Sequence, residues 1–400
     1  MVNKRRARKV RAPYKRYVGT GLPTEDGEQI DHDSNGESEG LDELELAAGI
    51  ESIDLIARID GVPEVALGVP AEVFRIIMDY SSNHWRFLTV NSKWFEEVIK
   101  FVYKRPKLSP RNFGEFVTVI SAHRSLGAYV CDLDLTQIIQ TGKNSLTARL
   151  LTRCSPRLEL FIAPQSNFGY SPLLSLRHCK RLRTLDLGMV SEKVDLPKLI
   201  AAVEEFQDLE VMRFPRSSIM CECDHLDWPP NLRTLGLAGG LTAQFLENTV
   251  LPSTVTTLEL SNIPTASTTS ITTLLARIGP QLKRLVVMYP LQGISANALD
   301  TVLLMCPNLK SLTISVDYVS DELFAFVPEN HPLETLKLLS SGMIGHSDKI
   351  RPLHVTASLD SLPFLTRVGA SLQLGWNPNN DAIIELASQL EDRNGGLWLI

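Results

Sequence analysis

Ten times between residues 130 and 370 the chain returns to one hydrophobic spacing, L-x-x-L-x-[L/I], with polar or small residues at most of the places between. The copies open at Val130 (VCDLDL), Leu158 (LELFIA), Leu182 (LRTLDL), Leu209 (LEVMRF), Leu232 (LRTLGL), Val255 (VTTLEL), Leu282 (LKRLVV), Leu309 (LKSLTI), Leu333 (LETLKL) and Leu365 (LTRVGA), 23 to 32 residues apart. Alternation of apolar and polar residues predicts a short strand in each copy. Between copies the period changes. Ile271, Leu274, Leu275 and Ile278 keep the spacing of a helix that buries one stripe, as do Leu299, Val302, Leu303 and Cys306. Leu199, Val203 and Phe206 follow it more loosely, and so do Ile383, Leu386 and Leu390. Strand then helix, repeated, predicts an α/β solenoid of parallel strands joined by crossovers. No single unit can bury its own apolar face, so the units must bury each other. The closing NGGLWLI reads as a helix stop followed by a capping strand.

A different pattern precedes the repeats, in GVPAEVFRIIMDYSSNHWRFLTVNSKWFEEVIKFVY. Val73, Ile76, Ile77 and Tyr80 share one face of a helix whose first turn suits Pro70. A break at Ser81-Ser82-Asn83 leads to a short apolar element, Trp85 to Val90, and a third helix carries Trp94, Val98, Phe101 and Val102. Eighteen of the 35 residues from Val69 to Tyr103 are large apolar or aromatic. So few residues cannot enclose that much apolar surface. Either the first repeat or another protein must cover part of it.

Both segments resemble one family. The repeats are similar to the leucine-rich repeats of F-box proteins, where Cys-Pro-x-Leu often opens the strand, as Cys306-Pro307-Asn308-Leu309 does here. Val69-Pro70-x-Glu72-Val73, Ile76-Ile77 and Leu88-x-Val90-x-x-x-Trp94 resemble the F-box itself, and the wider run is similar to fungal F-box/repeat proteins. Val69 stands where Leu is usual, and the Leu-Trp pair that often follows the third helix is missing. The resemblance implies that Val69, Pro70, Val73, Ile77, Leu88, Val90 and Trp94 meet a Skp1-type adaptor, and through it a cullin–RING ubiquitin ligase. It divides the chain into a tail over 1–60, an F-box over 62–108 and a leucine-rich-repeat solenoid over 109–400. The implied function is the substrate-recognition subunit of such a ligase, with an unknown protein as target. A scaffold acting outside a ligase and a repeat binding module with a helical cap are the alternatives. The ninth place of each unit, usually Asn or Cys, holds Ile138, Ser166, Val190, Ser217, Gly240, Ile263, Pro290, Asp317, Ser341 and Gln373. Without that polar ladder the solenoid is expected to be irregular, with an insertion near 341–356.

Composition fits this picture and narrows the partners. Hydrophobic residues make up 44% of the chain and charged residues 22%, values of a globular protein. The net charge of −6 conceals eight basic and no acidic residues in positions 1–20, which leaves 32 basic against 46 acidic residues beyond them. An acidic body does not grip nucleic acid by its phosphates, so no nucleic-acid partner is expected. The tail, basic then acidic, cannot bury enough to order itself. Its KRRARK, Lys4 to Lys9, fits a nuclear localisation signal, a merely solvated basic end or an intramolecular partner for the acidic block. No apolar run follows that would make a secretory signal or span a membrane. Six cysteines are not a disulfide framework, and the expected setting is intracellular, nuclear or cytoplasmic.

No catalytic constellation emerges. GESEG, Gly36 to Gly40, matches a nucleophile string without the strand and helix that string requires. Cys221, Cys223 and His225 lack the second ligand pair of a zinc site. Cys154, Cys179 and Cys306, near strand starts, read as small buried residues. The chain is expected to hold no metal or cofactor and to catalyse nothing alone. Function then falls to the strand positions that point away from the helices: Asp134, Ile162, Asp186, Arg213, Gly236, Glu259, Val286, Thr313, Lys337 and Gly369, with neighbours such as Arg284, Met288, Ser311, Thr335 and Arg367. Of these, Asp186, Arg213, Glu259, Val286, Met288, Thr313 and Lys337 are the target-binding candidates. Their mixed signs and sizes suit a protein. The long loops APQSNFGYSP and FPRSSIMCECDHLDWPP offer an alternative binding surface.

Overall fold

Each copy of the hydrophobic spacing becomes a strand that starts two residues after the copy's first apolar position. The computed structural model describes residues 71–81, 84–139, 144–165, 168–216, 219–221, 226–343 and 349–400. The chain divides at Pro63 into two units, and all of these residues belong to the second. The tail over 1–60 with KRRARK and GESEG lies outside them, as do Val69, Pro70, Cys223 and His225.

In chain order the strands are β1 Asp132–Asp134, β2 Leu160–Ile162, β3 Thr184–Asp186, β4 Val194–Asp195, β5 Val211–Arg213, β6 Ile219–Met220, β7 Thr234–Leu237, β8 Thr257–Ser261, β9 Arg284–Met288, β10 Ser311–Ser315, β11 Thr335–Leu339, β12 Arg367–Ala370 and β13 Gly396–Leu399. Eleven of them form one sheet in the order β1-β2-β3-β5-β7-β8-β9-β10-β11-β12-β13, while β4 and β6 pair separately. Every pairing in the large sheet is parallel. The ten copies thus supply ten neighbouring strands, and the C-terminal GLWL supplies the eleventh. This is a leucine-rich-repeat solenoid.

The strands are short because only their alternate residues have an apolar destination. In the Leu309 copy, Leu309, Leu312 and Ile314 are fully buried, whereas Ser311 and Thr313 stay half-exposed on the other face. Register is held just ahead of each strand by a carbonyl that accepts two N–H groups from the next unit. The Cys131 carbonyl takes those of Glu159 (2.8 Å) and Leu160 (3.0 Å). The carbonyls of Glu159, Arg183, Glu210, Arg233, Thr256, Lys283, Lys310 and Glu334 repeat the arrangement.

The helical side is irregular, as the missing polar ladder implies. At the ninth place Ile138, Val190 and Ile263 are buried in the apolar core. A polar step remains where the Asp317 carboxylate accepts from the Ser341 hydroxyl at 2.9 Å and from its backbone N–H. Thr268–Ile278 forms the expected helix, closed by a capping box between Ser267 and Ser270, and Ile271, Leu274, Leu275 and Ile278 are all buried. The stripe at Leu299, Val302, Leu303 and Cys306 is also buried, yet only Val302–Met305 is helical. The chain before it is drawn toward the following loop. Leu299 donates to the Tyr318 carbonyl, and the buried Asp300 carboxylate accepts from Ser320 through backbone N–H (2.6 Å) and hydroxyl (2.7 Å).

The core and one buried imidazole each carry a measurable consequence. Leu285 is fully buried on the central strand β9, so Leu285→Ala should cost about 2–5 kcal/mol by removing apolar burial and leaving a cavity, read as a shift in urea unfolding. His331 is 2% exposed; its Nε2 lies 3.1 Å from the Cys306 carbonyl, and its Nδ1 has no hydrogen-bond partner among the described residues. Burial holds its pKa below the ordinary value near 6.5. The unfolded chain therefore takes up the proton first. Stability should be fully present above about pH 6.5 and decline as pH falls below it. A His331→Leu chain should show a shallower fall of Tm between about pH 7 and pH 5.

Candidate functional site

The segment ahead of the solenoid folds around a small core of its own. Helix α1 spans Ala71–Tyr80 and helix α2 spans Ser92–Lys104, with a single 3₁₀ turn, His84–Phe87, between them. That turn falls in the short apolar element expected over Trp85 to Val90, and His84 Nε2 lies 2.7 Å from the Met78 carbonyl. Asn91 starts α2 by accepting the Trp94 N–H at 2.9 Å. Phe74, Met78 and Val98 are buried, with Ile77, Phe87, Leu88, Trp94, Phe101 and Val102 packed on them. Trp94 stands edge-on to Phe74, with ring centres 5.1 Å apart.

This packing sorts the predicted adaptor residues. Ile77, Leu88 and Trp94 serve the small core, and Trp94 joins its aromatic cluster. Val73 and Val90 face outward at 41% and 54% exposure. Two residues not among the candidates share that outward position, Ile76 at 55% and Tyr80 at 89%. The face of α1 defined by Val73, Ile76, Ile77 and Tyr80 is therefore mostly its open face. The residues that bury α1 are Phe74 and Met78, one helical turn apart. Ile76 and Tyr80 are legible in the sequence as apolar positions, but only the packing shows that nothing in the described chain covers them.

The segment is fixed to the first repeat at the end of α2. The Lys104 carbonyl accepts the Cys131 N–H at 3.0 Å, one residue before β1. Arg105 pairs with Asp132 at 2.6 Å, and Tyr103 stacks on Phe116.

On the large sheet, the expected outward row falls into one continuous line. Pairing aligns Asp134, Ile162, Asp186, Arg213, Gly236, Glu259, Val286, Thr313, Lys337 and Gly369 from strand to strand, and adds Trp398 on β13. Three target-binding candidates are engaged with each other. Arg213 donates to Glu259 through Nε (2.6 Å) and a terminal nitrogen (3.0 Å), and to Asp186 at 3.2 Å. The bond to Glu259, above all, holds its guanidinium firmly protonated. To reach β8 from β5 the arginine must lie across β7, where Gly236 leaves room: a Cβ there would stand 2.9 Å from Arg213 Cγ. Val286 is nearly buried among the strands, Met288 is exposed at the end of β9, and Thr313 and Lys337 are half-exposed.

The cysteines near strand starts are buried in the apolar core, as the sequence suggests. Cys154, Cys179 and Cys306 are fully buried, and burial pushes each thiol up to about 12. Cys221 is buried as well. Among the described residues no group of three His, Cys, Asp or Glu could hold a metal ion. No helix among them is long and apolar enough to cross a membrane.

A parallel leucine-rich-repeat sheet joined to a small helical segment defines the architectural class, and comparison with known proteins narrows it. No family model matches the chain. It is 43% identical over 324 residues to F-box protein YDR306C of Saccharomyces cerevisiae, covering 78% of this chain and 68% of that protein. It is 30% identical over 346 residues to protein pof5 of Schizosaccharomyces pombe, covering 82% and 98% respectively. The chain belongs to the fungal F-box/leucine-rich-repeat proteins. Among solved structures it is similar to the yeast Rad7–Elc1 complex, at 16% identity and a TM-score of 0.38, covering 82% of this chain and 80% of that one.

The Arg213 bridge gives a direct test. Gly236→Ala and Glu259→Gln both act on the same ion pair, so their effects should not add. In a double-mutant cycle by urea unfolding, the double variant should be less destabilised than the sum of the singles by about 0.5–1 kcal/mol.

Proposed function

We propose that this chain is a substrate-recognition subunit of a Skp1–cullin–F-box ubiquitin ligase. In this reading a Skp1-type adaptor covers the open side of α1 and the turn before α2, and the open face of the large sheet holds a protein target. The observation that carries it is the outward set Val73, Ile76, Tyr80 and Val90 on a segment that also bears the F-box pattern. Large apolar side chains left in water on a segment with its own core are most simply explained by a partner that buries them.

The division of labour follows from that arrangement. Ile77, Leu88 and Trp94 shape the segment from within, while Val73, Ile76, Tyr80 and Val90 supply the docking surface. Val69 and Pro70 would extend it. The chain performs no chemistry in this reading. It holds target and ligase on one body, which raises their effective concentration while the partners carry out the transfer. The Asp186–Arg213–Glu259 bridge presents fixed polar groups to a target, and Val286, Met288, Thr313 and Lys337 present a mixed apolar and polar surface beside it.

The test is copurification of the full chain with a Skp1-type adaptor. Ile76→Asp/Val90→Asp changes two exposed side chains, so the variant should keep the wild-type Tm. Burying one large apolar side chain is worth about 1.5–3 kcal/mol, so replacing both should weaken adaptor binding at least a hundredfold. Trp94→Ala is a contrasting control, since it should lower Tm as well. A folded wild-type chain that shows no adaptor binding at micromolar concentration would sink the proposal. Recruitment of a cullin to the adaptor complex then separates a ligase subunit from a free scaffold.

A further inference from the structure

The chain carries three Ser-Pro pairs, Ser109-Pro110, Ser155-Pro156 and Ser171-Pro172, and no Thr-Pro pair. Proline-directed protein kinases read this pair. They receive the serine on extended backbone and seat the next residue where no N–H is required, which suits proline. Two of the three pairs are badly placed for that. Ser171-Pro172 lies inside the helix Tyr170–Leu176, with Pro172 buried. Ser155-Pro156 follows the helix Asn144–Cys154 in a turn, where the Ser155 hydroxyl donates to the Thr152 carbonyl at 3.1 Å. Ser109-Pro110 differs. Residues 106–109 form neither helix nor strand, and Pro110, Arg111 and Asn112 after them are exposed. A residue before proline is itself driven toward extended backbone.

One exposed side chain holds the serine. The Ser109 backbone N–H and hydroxyl both donate to Asn112 Oδ1, at 2.8 and 3.2 Å, and Asn112 Nδ2 donates to the Lys107 carbonyl at 3.0 Å. This clasp shapes the loop that leads from α2 into helix α3, Phe113–Ala122, whose first residue donates its N–H to the Ser109 carbonyl at 3.1 Å. The loop follows directly on Lys104 and Arg105, which fasten the helical segment to β1.

The charges around the serine are divided. Lys107 and Arg111 flank it two positions to either side, and among the described residues neither has a carboxylate within ion-pairing distance. Asp134, the first residue of the outward row, shares a hollow of about 410 Å³ with Ser109 and Lys107. A dianion added at the serine would therefore meet two free cations and one carboxylate at the start of the sheet.

We propose that Ser109 is a phosphorylation site for a proline-directed kinase, and that the phosphate opens the Asn112 clasp. In the transfer the Ser109 Oγ bonds to the γ-phosphorus of ATP while the bond from that phosphorus to the bridging oxygen breaks. ADP leaves, and the hydroxyl proton departs through the base of the kinase. The product carries close to two negative charges and oxygens that mostly accept. Asn112 Oδ1 also only accepts, so the hydroxyl bond is lost and acceptors face each other. Asp134 repels the phosphate from across the hollow, while Lys107 and Arg111 offer it ion pairs in place of the clasp. These effects act in one direction: the loop between the helical segment and the first repeat leaves the conformation that Asn112 holds. The proposal goes beyond the ligase reading and does not depend on what α1 or the open face binds.

The test incubates the full chain with ATP and either a cyclin-dependent-class or a mitogen-activated-class kinase, and locates the phosphate by mass spectrometry. Ser109 should be the principal site of the three pairs, and its labelling should be lost in Ser109→Ala and in Pro110→Ala. Both changes fall in the loop, so Tm should be kept. Hydrogen exchange of the phosphorylated chain then reads the clasp. The Ser109 amide should exchange roughly tenfold faster, as loss of one hydrogen bond implies, while amides of β9–β11 stay unchanged. Asn112→Ala should produce the same gain without phosphate, and phosphorylating that variant should add little. Labelling confined to Ser155, Ser171 or residues outside the pairs would overturn the site, as would labelling of a 103–114 peptide but not of the folded chain, or of neither. Labelling of Ser109 that survives Pro110→Ala would overturn the class of kinase. A fully phosphorylated chain whose Ser109 amide exchanges as slowly as before would overturn the opening of the clasp.

Discussion

The structure depends on a doubled hydrogen bond. At each junction between units one carbonyl accepts two neighbouring N–H groups of the next unit, and nine such carbonyls run from Cys131 to Glu334. The residue that follows each pair's second donor begins the alternation of buried leucine and outward polar residue. Because the register is fixed at that point, every leucine of the spacing reaches the core, and every outward side chain falls into line with its neighbours. A slip of one residue would turn the whole apolar set to water. Ladder and leucines therefore specify the same alignment, and either one alone would leave short strands of three to five residues poorly defined.

From that alignment come both halves of the open face. The Asp186–Arg213–Glu259 bridge exists because three strands bring those residues into one row and Gly236 lets the arginine pass between them. The same rows, continued to β13, set Arg284, Lys337, Arg367 and Trp398 around one hollow, with the Trp398 indole lying over Gly369. Neither arrangement needs residues close in sequence. Both need the repeat.

Much of the fold is legible in the sequence, and the reason is the repeat itself. Ten copies of one spacing leave little freedom in assigning strands, and the outward row follows from alternation. What sequence does not supply is pairing among outward residues. Arg213 and Glu259 are 46 positions apart, and that they bind each other, across a glycine, depends on the register of three strands. Trp398 escapes the candidate set because the final strand lacks the repeat's spacing, although it closes the row. In the helical segment the apolar positions are evident while their direction is not: Phe74 and Ile76 read alike, and one is core while the other faces water. The shortened helix at Val302–Met305 reflects Asp300 and Leu299 bonding to a loop some twenty residues later, a demand that local periodicity does not carry.

The join between α2 and β1 has a geometric meaning. The Lys104 carbonyl, the Arg105–Asp132 pair and the Tyr103–Phe116 stack fasten the helical segment to the sheet at its first strand. Each further unit then adds one fixed increment of about 4.8 Å, so ten steps carry β13 roughly 48 Å along the sheet from β1. The number of repeats works as a ruler. A side chain on β13 stands at a set offset from α1, and a chain with one unit more or fewer would change that offset by one strand spacing.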